Sequence, residues 1–116
     1  MKRIVARFYR TEAGSEPVRN WLLSLDAENR KIVGKDIATV EFGWPVGMPV
    51  CRPLRDGVLE VRSTIRSGKV EARTYFAIEQ NSMLLLHGVE GKRRQDDAIE
   101  LAVERLRDYR RRTLKP

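Results

Sequence analysis

From Val58 to Val89 the chain reads as three strands in succession, and no other stretch limits its fold as tightly. Leu59 and Val61 alternate with Glu60 and Arg62, the period of two that sends neighbouring side chains to opposite faces of a strand. Arg66, Ser67, Gly68 and Lys69 supply a hairpin turn. In the next segment, 70 to 79, Ala72, Thr74, Phe76 and Ile78 share one face, with Arg73, Tyr75 and Ala77 opposite. Asn81 and Ser82 turn the chain again, into a run from Met83 to Val89 whose unbroken apolar start suits a central strand covered on both sides. Strands joined by such turns must be antiparallel.

The flanking segments supply helices and one more strand. Residues 2 to 9 set Ile4, Ala6 and Phe8 against Arg3, Val5, Arg7 and Tyr9, a strand with one buried face. After a turn around Gly14, Ser15, Glu16 and Pro17 form a helix entry, with a capping hydroxyl, an acidic first turn and a proline that needs no amide partner. Val18, Trp21, Leu22 and Leu25 then follow the helical stripe. Asp26 caps a second helix along Ile32 or Val33, Ile37 and Val40, which ends in the proline- and glycine-rich loop 42 to 53. The last helix is expected to start at a cap on Asp96 or Asp97, with Glu100 placed for a capping box and Ile99, Ala102, Val103 and Leu106 as its core stripe. The order strand, helix, helix, three strands, helix predicts an α+β domain with its helices packed on one face of the sheet. The opposite face is then open, and there Arg62, Arg73 and Tyr75 should stand.

At 116 residues the chain is expected to be a single domain over 1 to 116, long enough to bury a core. No apolar run approaches the ~18 residues of a membrane span, and the N-terminus alternates rather than forming the apolar block of a secretory signal, so a cytoplasmic location is expected. One cysteine, Cys51, and one histidine, His87, leave no disulfide and no zinc set, and no cofactor or metal is expected. The net charge of +7 concentrates in the last quarter, where Lys92, Arg93, Arg94, Arg105, Arg107 and the run Arg110 to Arg112 lie. Such a field attracts a polyanion, a nucleic acid or an acidic protein segment.

No nucleophile elbow or phosphate-binding glycine loop is present. What remains is cation chemistry on phosphate. RNA cleavage needs no protein nucleophile, because the ribose 2'-hydroxyl can attack the adjacent phosphorus; the protein orients it, neutralises the developing charge and moves protons. Arginine suits the second task, since its fork holds two phosphate oxygens. On this reading Arg73, Lys92 and Arg93 are candidate cations for the phosphate, His87 and Tyr75 are candidates for proton handling or base stacking, and Arg62, Arg55, Arg94 and Glu60 are candidates for the RNA-binding face. Each has a plainer alternative: Arg73 paired to Glu60 or Glu71 across the sheet, Lys92 and Arg93 in a solvated turn, Tyr75 in sheet packing, His87 as a structural histidine, Glu60 merely orienting Arg62. If Arg73 stands free on an open face, its removal should leave the melting temperature nearly unchanged.

The segments PLRDGVLEVR at 53 to 62, Arg73-Thr74-Tyr75-Phe76, LLLHG with a following lysine, and AIELAVERLRDY at 98 to 109 resemble the HigB-type, phage-derived branch of the RelE/ParE toxin superfamily. The resemblance covers most of the chain, with Val89 where the family carries an aromatic and Gly91 where it carries a lysine. It implies a compact RelE-like fold and the toxin of a type II toxin-antitoxin system, a metal-independent endonuclease that cuts messenger RNA on the ribosome. It further implies a cognate antitoxin, a small helix-turn-helix protein, as partner, and assigns the phosphate-gripping role to Arg73, Lys92 and Arg93 with Arg62 in support. Two other readings stay open: a phage-derived module that holds RNA or a protein without cutting, and a ParE-like gyrase poison.

Overall fold

A computed structural model describes residues 1–91 and 94–114, so Lys92 and Arg93, both assigned above to the phosphate grip, lie outside the described residues. The chain forms β1 (Val5–Phe8), α1 (Pro17–Ser24), α2 (Ala27–Gly43), β2 (Cys51–Pro53), β3 (Leu59–Ile65), β4 (Val70–Glu79), β5 (Ser82–Glu90) and α3 (Gln95–Thr113). The strands build one mixed sheet in the order β1-β5-β4-β3-β2. β2, β3, β4 and β5 pair antiparallel in succession, while β1 runs parallel to β5 and makes it a central strand. The α+β class and the three-strand meander match the sequence reading. Residues 51 to 53, read there as loop, instead add a short edge strand, held because Cys51, Arg52 and Pro53 lie in register with Val61, Glu60 and Leu59.

The helices are not on one face. α1 and α2 pack Val18, Val33, Ile37 and Val40 against Val61, Ile65, Ala72, Phe76, Met83 and Leu85. α3 lays Ala98, Ala102, Val103 and Leu106 on the opposite face, against Tyr9, Val58, Tyr75, Ala77, Leu84 and Leu86. The apolar run of β5 requires this arrangement, since its alternate leucines would otherwise face water. The open ground is therefore only the part of the second face that α3 leaves uncovered.

Local chemistry sets the helix ends. Pro17 occupies the first turn of α1, but its cap, Glu16, makes no side-chain bond. Asp26 caps α2 as expected, Oδ1 accepting from the Asn29 amide at 2.9 Å. α3 starts earlier than expected: Arg94, in the left-handed region at φ 57°, is its cap, and Asp96 and Asp97 sit in the first turn, where acidic groups favour the helix dipole. Glu100 ion-pairs with Arg55 rather than closing a capping box.

Two details fix the sheet around the site. Between Tyr75 and Phe76 the register slips, Tyr75 facing His87 and Phe76 facing Leu85, so Leu86 is an extra residue in β5 and both it and His87 lie toward α3. Two residues on, Gly88 lies under the Trp21 indole, where a Cβ would come within 2.1 Å of a ring carbon. At the β1 edge Glu41 of α2 accepts from the Ala6 amide at 2.7 Å, with Lys2 at 3.1 Å from the same oxygen, closing an edge that could otherwise pair with another chain.

Candidate functional site

The antiparallel register of β2 to β5 writes two rows of side chains across the second face. One row runs Arg52, Glu60, Tyr75, His87; its neighbour runs Arg62, Arg73, Val89. Five sequence candidates, Glu60, Arg62, Arg73, Tyr75 and His87, therefore meet on adjacent strands. Cross-strand neighbours on one face lie about 4.5–5.5 Å apart at Cβ, close enough for their charges to act as one group.

Glu60 is the hub. Its side chain is fully buried, its Oε1 accepts from Arg62 Nε at 2.8 Å, and its Oε2 lies 3.4 Å from Arg73 Nε. Arg73 is only 4% exposed, so it is a buried cation opposed by that carboxylate rather than a free group on an open face. Its removal is accordingly expected to cost stability, where the sequence reading expected almost no change. Arg62 keeps 42% of its side chain exposed and gives the pair its outlet to solvent. Arg52, which the sequence reading left in a loop, joins them: with Glu60, Arg62, Met48, Pro49 and Val50 it lines a pocket of about 200 Å³. Three arginines against one carboxylate leave a net positive face.

Tyr75 is fully buried between the arginine pair and α3, and its hydroxyl has no hydrogen-bond partner among the described residues. Burial first, and the Glu60 charge second, push its pKa up to about 12 against the opposing pull of Arg73 and Arg62. His87 stacks beside it, ring centroids 6.1 Å apart and planes within 13°. Burial, reinforced by the Arg105 charge, lowers the imidazole to about 4. Both causes favour the neutral ring, a shift that a local reading of the sequence had no means to show. The reinforcing arginine lies 18 positions away on another element, with Nη1 3.2 Å from His87 Nδ1.

The remaining candidates divide. Arg94 lines a groove with His87, Val89, Asp97, Ala98 and Leu101, and pairs with Asp97 at 2.8 Å. Arg55 lies beyond the start of β3, bound to Asp56 and Glu100, and lines a different groove with Trp44, Leu54 and Arg110. Arg52 and Arg105 are what sequence reasoning missed. Arg52 gave no signal beyond its charge, because β2 is too short to show a period; Arg105 was visible only as a residue flanking the core stripe of α3. Among the described residues no group of three or more His, Cys, Asp or Glu is arranged to hold a metal ion, and no helix is long and apolar enough to cross a membrane.

A mixed sheet with two helices behind it, a third lying partly across the front, and arginines on the uncovered ground define a compact α+β domain of the RelE-like kind. The chain belongs to the family described as phage derived protein Gp49-like (DUF891), whose model matches residues 20–107, from α1 into α3 and across both rows of the site. That family is part of the RelE/HigB-type toxin superfamily and is associated with the toxins of toxin-antitoxin systems. No curated protein matches the chain.

Proposed function

We propose that this chain is the toxin of a type II toxin-antitoxin system, of the HigB branch, and that it cleaves messenger RNA on the ribosome. The observation that carries the reading is the facing pair Arg62 and Arg73, two guanidinium groups on adjacent strands held by one buried carboxylate. A phosphorane formed when a 2'-hydroxyl attacks phosphorus carries more charge on its oxygens than the diester does. Preorganised cations beside it therefore stabilise the transition state more than the bound substrate. Arg62 is the contact that reaches solvent, Arg73 the one behind it, and Glu60 holds both in place. Arg94 adds a further cation beside His87, Lys92 and Arg93 are proposed from sequence alone to act with it, and a ribosome supplies the aligned message.

A second reading, an RNA-holding module without cleavage, is favoured by one feature: burial shifts Tyr75 upward and His87 downward, both away from neutrality. Expression of the full chain in bacteria separates the readings. Fast translation arrest with fragmented messages is expected. Harmless accumulation would instead support the holding module, and DNA breaks with intact messages a gyrase poison. The partner we propose is a small helix-turn-helix antitoxin presenting an acidic segment to the cationic face. Its association should slow as salt rises toward physiological strength, where charges are screened over about 8 Å. An on-rate indifferent to salt would argue against charge steering.

A further inference from the structure

Arg105 donates twice from one nitrogen. Its Nη1 bonds the Leu86 carbonyl, the extra residue of the β5 bulge, at 2.8 Å, and meets His87 Nδ1 at 3.2 Å. A guanidinium has protons to give and no lone pair to offer, so Nδ1 must be the acceptor. The ring proton is then on Nε2. Tyr75 from β4 stacks on the ring without a charge, and the charged groups lining the groove beside it are Arg94 and Asp97, which neutralise each other as an ion pair. The cation facing the imidazole is therefore Arg105, reaching in from α3.

We propose that His87 is a fixed neutral hydrogen-bond donor, through Nε2–H, to RNA bound along the Arg62–Arg73–Arg94 surface, and that Arg105 is the positioning residue that enforces this tautomer. A neutral imidazole can polarise an oxygen without being consumed as an acid, and one whose Nδ1 accepts from a half-buried arginine is held in a single tautomer. The bulge at Leu86 has a matching role: it turns His87 toward the same face as Tyr75 and offers Arg105 the carbonyl that anchors it. This inference rests on the RNA-cleaving reading above, but its first test does not.

With a single histidine in the chain, the ring nitrogens are directly assignable by nitrogen-15 NMR of the whole protein. The expected spectrum shows the Nε2–H tautomer, unchanged from pH 8 to pH 5. In Arg105→Met the ring should lose its single tautomer and show a mixture of Nδ1–H and Nε2–H forms, and in Arg105→Lys, which keeps a cationic donor, it should stay on Nε2. A wild-type ring that is protonated on Nδ1, or that titrates near pH 6.5, overturns the proposal. So does an Arg105→Met ring identical to the wild type. The second test measures cleavage of message on purified ribosomes. His87→Gln, which keeps an N–H near the Nε2 position but cannot act as an acid or base there, should stay within about threefold of wild type, and His87→Ala should lose about tenfold or more. Equal losses in the two variants would sink the donor role while leaving the cleavage reading intact. A wild-type protein that neither cuts nor binds ribosomal message would remove the cleavage reading and the donor role together, with the tautomer still reporting on Arg105.

Discussion

The two faces of β4 are equally dry and are built from opposite materials. On the α1–α2 side Ala72 and Phe76 are fully buried in an apolar core, and the unpartnered polar groups buried there, the Thr74 and Ser63 hydroxyls, carry no charge. On the α3 side Arg73 and Tyr75 are buried to the same degree beside Glu60, yet Glu60 Oε2, Arg73 Nε and the Tyr75 hydroxyl lack hydrogen-bond partners among the described residues. A charge taken from water costs several kcal/mol, which a single counter-ion at 3.4 Å offsets only in part. The first face thus provides the stability that the second consumes, a pattern found where preorganised charge has a use. The comparison predicts how each face should fail.

The largest effects should be alike in size and different in kind. Phe76→Ala removes a fully buried ring from the α1–α2 face and should lower stability by about 3–5 kcal/mol in urea unfolding. Glu60→Ala should lose a similar amount, about 3–5 kcal/mol, because it leaves Arg73 buried without a counter-charge. The contrast lies in rescue: a double variant Glu60→Ala, Arg73→Met should regain much of the loss, as no apolar replacement can for Phe76 short of refilling its volume. A double variant no more stable than Glu60→Ala would show that the pair is not an energetic unit.

Next in size is the split between stability and activity at Arg62. Its side chain is 42% exposed and its loss leaves Glu60 with Arg73, so Arg62→Ala should cost only about 1–2 kcal/mol of folding stability. Cleavage of ribosome-bound message should fall about a hundredfold, the size expected for losing one contact to developing charge. If activity falls no further than the folded fraction, Arg62 is a structural ion-pair partner and the charged face has another purpose.

A smaller effect is expected back on the apolar face. Gly88 has no room for a methyl group beneath Trp21, and Gly88→Ala should destabilise by about 1–3 kcal/mol through displacement of the indole. A second substitution, Trp21→Leu, should relieve it. An unaltered melting temperature in Gly88→Ala would mean that Trp21 moves aside without loss.

The alternation that separates these faces was legible in the sequence, because a strand's period is local: Glu60 with Arg62, and Arg73 with Tyr75, fall where it placed them. The stripe of α3 was legible too, but a helical stripe says only that a helix is buried, not against which face. The clue lay in β5, where leucines on both faces demand cover on both sides. Burial of Arg73 was illegible for the same reason, since whether a charged position is open depends on where a distant helix lands. So was the neutral bias of His87, set first by its burial and then by Arg105 across 18 positions of chain.

The smallest expected effect is a pH dependence that belongs to the α3 face alone. His87 is held at about 4 in the fold, below its ordinary 6.5, so the fold favours the neutral ring. Above pH 6.5 neither the folded nor the unfolded chain is protonated at this position, and its contribution to stability is complete. As pH falls from 6.5 to about 4 the unfolded chain gains a proton that the folded chain refuses, and stability declines across that window. Below about 4 both forms are protonated and this residue adds no further slope. Asp108, bound by Arg112 and Tyr9, and Glu90, bound by Arg66, are held below the ordinary carboxylate range and bring their own loss at lower pH. Their loss is common to both proteins when wild type is compared with His87→Gln. The difference in melting temperature between the two should therefore change between pH 6.5 and 4 and be flat above it, the wild type losing ground as the solution is acidified. A difference that stays constant through that window would mean that the ring is protonated in the fold as readily as in the unfolded chain, and that α3 does not shield it.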